Sequence, residues 1–101
     1  MHVAAISLST VNAPKNVRRG RAEVVIVNFS GAPVANADVT GRFTGSYNQL
    51  ATIRTDSAGR AIFLTSDTRK GSVSFTFCVE NVIHPTLTYD PTANVERCNR
   101  F

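Results

Sequence analysis

Apolar and polar positions alternate with a period of two along much of this chain, as in strands that turn one face to a core. The clearest run covers residues 72–82, with Val73, Phe75, Phe77 and Val79 on one face and Ser74, Thr76, Cys78 and Glu80 on the other. Ala37, Val39, Gly41 and Phe43 alternate in the same way with Asp38, Thr40 and Arg42, and Ala61, Phe63 and Thr65 share a face opposite Ile62 and Leu64. Further strands are predicted at residues 3–9, about 21–29, 50–55 and 84–90, the last with Pro85 at its start. Val24 to Val27 is an unbroken apolar run, so alternation leaves its inward face open. Such a strand is covered on both faces or meets another domain with its outer one.

Turn residues punctuate these runs. Asn12, Pro14 and Asn16 mark a loop after the first strand, Gly31 and Pro33 a turn before the third, and Gly45 to Asn48 another after it. Asp56-Ser57-Ala58-Gly59 reads as a tight turn with Gly59 left-handed, which predicts a hairpin between the fourth and fifth strands. Residues 91–101 read as a polar tail. Seven short strands predict an all-β fold, a seven-stranded antiparallel immunoglobulin-like β-sandwich (Greek key), over residues 1–90, followed by a C-terminal tail at 91–101. Its expected core is Val39, Phe43, Ile53, Phe63, Val73, Phe75, Phe77, Leu87 and Tyr89.

Composition narrows this further. A chain of 101 residues that is 43% hydrophobic supports one core and one domain. The abundance of Val, Thr, Ile and Phe, with a single Met and no Trp, favours strands over a helical bundle. Net charge is +4, from 11 basic and 7 acidic residues, but the only basic clusters are Arg18-Arg19-Gly20-Arg21 and Arg69-Lys70. Neither is interleaved with the aromatics that stack bases in a single-strand groove, so they read as solvated loop charge and no nucleic-acid partner is expected. The apolar stretch 3–8 is short, lacks a preceding basic residue and is broken by polar ones, so it is neither a signal peptide nor a membrane span.

Residues able to do chemistry are few. Cys78 faces away from the Phe75/Phe77 side and Cys98 lies in the tail, so the tail folding back over the outer sheet would join them; two free thiols and an intermolecular bond are the other arrangements. A bridge between them closes a loop of about twenty residues, a stabilisation of roughly 3 kcal/mol in the chain-entropy account. His2 and His84 approach one another only if the first and last strands are neighbours, and no third or fourth ligand stands near either, so no metal site is expected. There is no G-x-S-x-G elbow, and Asp38, Asp56, Asp67 and Asp90 stand singly at turns or on polar faces. No catalytic residue and no cofactor is expected. Tyr47, on a polar loop, is a weak ligand-contact candidate for a sugar or peptide; folding back over the sandwich end is its commoner role. Phe29 is the only other aromatic for a sugar-binding platform.

Gly31-x-Pro33-Val34-x-Asn36-Ala37-x-Val39, followed by Thr55-Asp56-x-x-Gly59-x-Ala61-x-Phe63, resembles bacterial Ig-like and carboxypeptidase-regulatory-like modules. Over nearly the whole chain, Met1-His2-Val3 and Val79-x-Asn81-Val82-x-His84-x-x-Leu87-x-Tyr89 resemble an Ig-like accessory domain often C-terminal to exported bacterial peptidases. That group often has a cysteine on each arm around the Asp-Gly turn, where this chain has Ile53 and Ala61; it also has acids and glycine where this chain has Ala4-Ala5-Ile6. The resemblance implies a non-catalytic spacer, adhesion or substrate-contact module, extracellular or at the cell surface, with the export signal upstream. The implied partners are neighbouring domains of a larger protein and an extracellular protein or polysaccharide. A carbohydrate-binding module and a peptide-binding domain using an exposed edge strand are the alternatives.

Overall fold

The computed structural model describes all residues from Met1 to Phe101. Its strands are β1 (His2–Ala13), β2 (Val17–Val27), β3 (Asp38–Gly45), β4 (Gln49–Arg54), β5 (Arg60–Leu64), β6 (Arg69–Lys70), β7 (Phe75–Ile83) and β8 (Cys98–Arg100). Short 3-10 turns lie at Pro14–Asn16 and Pro91–Ala93. One antiparallel sheet runs β1-β2-β5, with β6 also on β2; the other runs β4-β3-β7-β8. The expected all-β, two-sheet antiparallel architecture is present, with eight strands in place of seven because residues 69–70 and 98–100 pair as strands while 84–90 do not.

The alternation read from the sequence places the core. Ala37, Val39 and Phe43, Ala61 and Phe63, and Phe75, Phe77 and Val79 are buried on facing sheets. In the ambiguous β2 run, Ala22, Val24 and Ile26 point inward while Val25 and Val27 lie half-buried on the outer face. Phe43, Phe63, Phe75 and Phe77 form a connected aromatic cluster, with ring centroids 4.9–5.8 Å apart in tilted or edge-on contacts. Gly41 makes room for it: a Cβ there would collide with the Phe77 ring at Cζ. A register shift between Thr40 and Gly41 leaves Glu80 as an extra residue in β7. The bulge explains why Val79 and Val82, three residues apart, are both buried while Glu80 and Asn81 face solvent.

The structure corrects four expectations. The loop expected at 12–16 is a three-residue reversal, with Lys15 and Asn16 at φ of 70° and 60°, so β1 and β2 form one long hairpin. The molecule measures 44 × 23 × 19 Å. The fourth and fifth strands do not pair as a hairpin: β4 lies on β3 and β5 on β2, and the chain crosses between sheets. The Asp56–Gly59 turn still forms, with Asp56 N–H donating to Arg60 O at 2.9 Å and Gly59 at φ +76°. The crossing is fixed at buried Thr55, whose Oγ1 donates to Val34 O at 2.7 Å and accepts from Ala37 N–H at 3.0 Å. Residues 84–90 are irregular, and the strand beside β7 is β8, so the expected tail supplies an edge strand. Leu87 consequently stands 38% exposed, whereas Ile53, Val73 and Tyr89 pack half-buried against the core.

Candidate functional site: the edge of the first strand

β1 pairs with β2 on one side only, and its other edge is treated in two ways along its length. Near its start the C-terminal segment closes it. Val3 N–H donates to Asn94 Oδ1 at 2.7 Å and Val3 O accepts from Val95 N–H at 3.0 Å. Ile6 N–H donates to Glu96 Oε2 at 3.2 Å, and Ile6 O accepts from the Asn99 side chain at 2.8 Å. Met1 is held at the same end, its terminal ammonium on Thr88 O and its carbonyl on Asp90 N–H. A register shift at Ala4 reverses the strand's parity, which lets both Val3 and Ile6 turn their backbone groups to this edge while their side chains stay buried.

Beyond Ile6 the parity is regular, so Leu8, Thr10 and Asn12 direct their N–H and C=O groups to the same edge. Gly20, opposite Thr10, gives the same answer: its N–H and C=O are both used by Thr65 on the far side of β2. No residue of the chain pairs with this stretch. It also lacks the usual protection of an edge, since Ser7-Leu8-Ser9-Thr10-Val11-Asn12 has no charge, proline or bulge.

Cations surround the open half. Ion pairs engage Arg42, Arg54, Arg60, Arg69 and Arg97. Six Lys and Arg side chains have no carboxylate partner, and five of them, Lys15, Arg18, Arg19, Arg21 and Lys70, lie on the hairpin tip, on β2 behind the open edge or on β6; Arg100 is the sixth. The register sets Arg21 beside Ser9 and Arg19 beside Val11 on the outer face, and Arg18 beside Asn12 on the other. A shallow groove of about 230 Å³, lined by Asn12, Ala13, Asn16, Val17 and Arg18, ends the hairpin. The arginine cluster read from sequence as loop charge is therefore strand charge next to free backbone donors and acceptors.

The other candidates are placed as follows. Cys78 and Cys98 form a disulfide that ties β8 to the outer side of β7. Tyr47 is 1% exposed and offers no ring face to a ligand. Its ring meets Phe75 edge-on at 5.4 Å and covers Gly20, and its hydroxyl donates to Arg18 O at 2.7 Å. Burial raises its pKa above the ordinary value, opposed by Arg69 and Arg18. Phe29, by contrast, stands 97% exposed on the β2–β3 connection. His84 Nδ1 accepts the N–H groups of Thr86 and Leu87, which leaves the proton on Nε2 for Ala35 O at 3.1 Å. His2 lies in the other sheet, at the start of β1, and no cluster of three potential metal ligands occurs. No helix is long and apolar enough to cross a membrane.

The half-open edge was missed in the sequence because its cover comes from residues some ninety positions away. The uncharged stretch before Pro14 and the arginines after it were the available signal. No family model, curated protein or solved structure matches the chain.

Proposed function

We propose that this chain is a non-catalytic Ig-like module of an exported or cell-surface protein, acting as a spacer, adhesion or substrate-contact domain. The observation that carries this reading is the Cys78–Cys98 disulfide, which holds the last strand in place on a solvent-facing surface and belongs to an oxidising compartment. The order β1-β2-β5 against β4-β3-β7-β8, with a crossing between sheets after β4, supports an Ig-like Greek key. The titratable groups support a structural use of the chemistry available. Asp38, Glu23 and Glu80 are in ion pairs, Asp56 and Asp90 hold turns, and His84 organises the chain after β7.

The test is fractionation of cells that produce the native protein, with thiol labelling before and after reduction. Recovery in the exported or surface fraction with both cysteines blocked until reduction is expected. Recovery in the cytosol with both thiols reactive overturns the reading. A sugar-binding module is the second reading, favoured by Phe29 alone, since a lone exposed aromatic is half of a stacking platform. Shifts centred on Phe29 in a glycan titration would support it.

A further inference from the structure

We infer that the open half of β1 is a docking edge for an extended acidic segment of a partner protein, added as a further strand beside Leu8, Thr10 and Asn12. This rests on the reading of the chain as a partner-contacting module and gives that contact a place and a chemistry. Strand addition requires a row of unpaired backbone groups, which these three residues present and the rest of β1 does not. Those backbone bonds supply affinity, and preference for one partner over another comes from side chains on alternate positions. An added strand would lie two strand spacings, about 10 Å, from β2. Arginine and glutamate side chains close that span from both ends. On the outer face they pass over the short Ser9, which leaves Arg21 accessible to carboxylates, while Arg19 is turned to Thr65 O and Ser66 O on the far side of β2 and adds only its charge.

Charge selects among occupants. A second copy of the chain paired edge to edge would bring two basic hairpins together, each lacking acidic partners for Lys15, Arg18, Arg19, Arg21 and Lys70. A nucleic acid or an anionic membrane would satisfy the charges and leave the backbone edge unused. An acidic strand meets both features at once.

The test is a titration of the isotopically labelled chain with a blocked peptide alternating glutamate and valine, read by amide chemical shift and hydrogen exchange. Saturable binding with shifts and new protection at Leu8, Thr10 and Asn12, and none with the lysine–valine counterpart, is expected. Thr10→Pro removes one outward donor without touching the β1–β2 ladder and should weaken binding about tenfold or more. Arg18→Glu with Arg21→Glu, two side chains that hold no hydrogen bond or ion pair, should weaken it at least as much while leaving the edge backbone intact. Unchanged near-ultraviolet circular dichroism identifies variants that remain folded, and the arginine pair keeps the test decisive if Thr10→Pro does not fold.

Absence of binding overturns the inference. So does binding insensitive to both variants, concentration-dependent self-association through the same amides, or stronger and Thr10→Pro-insensitive binding of duplex DNA or phosphatidylserine vesicles. Each of these outcomes leaves the fractionation test untouched, so failure of the docking edge and failure of the exported-module reading are separable.

Discussion

Residues 3–6 and 8–12 of β1 pair with the same strand, yet their other edges have opposite fates. The first half is closed by Asn94, Val95, Glu96 and Asn99, which supply donors and acceptors one by one and mostly from side chains. The second half has nothing across from it and is flanked by cations without carboxylate partners. The comparison shows that closing an edge need not take another full strand: a bulge that turns the right groups outward and a tethered segment with three polar side chains are enough. It also shows that the bare stretch is not a default of strand ends, because the same chain has the means of covering an edge and applies them over half its length.

The largest effect on this contrast is expected from the tether. Replacing both cysteines, Cys78→Ser with Cys98→Ser, releases the loop that holds β8 and Asn99 against β1 and should cost about 3 kcal/mol of stability. Urea denaturation measures the loss, and hydrogen exchange locates it. Protection should fall at Val3 and Ile6 while Thr10, already open, stays unchanged. Equal changes at the two halves would show that the tail does not act as a local cover.

How much of this was legible depends on the range of the interaction. Period-two alternation named Val39, Phe43, Phe63, Phe75 and Phe77 as inward residues, because each strand's face is decided within a few residues of itself. The partner of a strand is not decided locally. Ile53 and Phe63 flank a well-formed Asp-Gly turn and read as a hairpin, but buried Thr55 sends their strands to different sheets. The tail looked polar because Asn94, Glu96 and Asn99 are polar, and polarity is what an edge cover needs. Cys78 and Cys98 were the one long-range pair the sequence could suggest, since only two cysteines were present to join.

A smaller and oppositely placed effect is expected at Tyr47. Its hydroxyl holds Arg18 O near the tip of the β1–β2 hairpin, so Tyr47→Phe should cost about 1 kcal/mol and raise exchange around Arg18 without altering Val3 or Ile6. The raised pKa of the buried phenol means that the folded state favours the protonated form. Its contribution is therefore complete below the unfolded value of about 10 and is lost as pH rises through the higher folded value. The native chain should lose stability over that alkaline range more steeply than Tyr47→Phe. Parallel curves in urea titrations at rising pH would place the ionisation elsewhere.

The smallest effect lies at the covered end and runs in the acidic direction. Asp90 accepts from Thr92 Oγ1 at 2.7 Å and from Thr92 N–H at 3.2 Å, capping the 3-10 turn from which Asn94 reaches Val3. The Thr92 side-chain hydrogen bond, chiefly, lowers the Asp90 pKa below the ordinary carboxylate value. A lowered folded pKa gives stability that is present above the unfolded value, near 4, and is lost as pH falls through the folded one. Because Asp90 is exposed, the loss should register as faster exchange at Thr92 and Val3 before any global unfolding. Asp90→Asn keeps an acceptor but cannot titrate, so the difference between it and the native chain isolates this group from Glu96 on the same edge. Acid-induced exchange that is identical in the two proteins would remove Asp90 from the closure of β1 and leave the cover to Asn94, Glu96 and Asn99 alone.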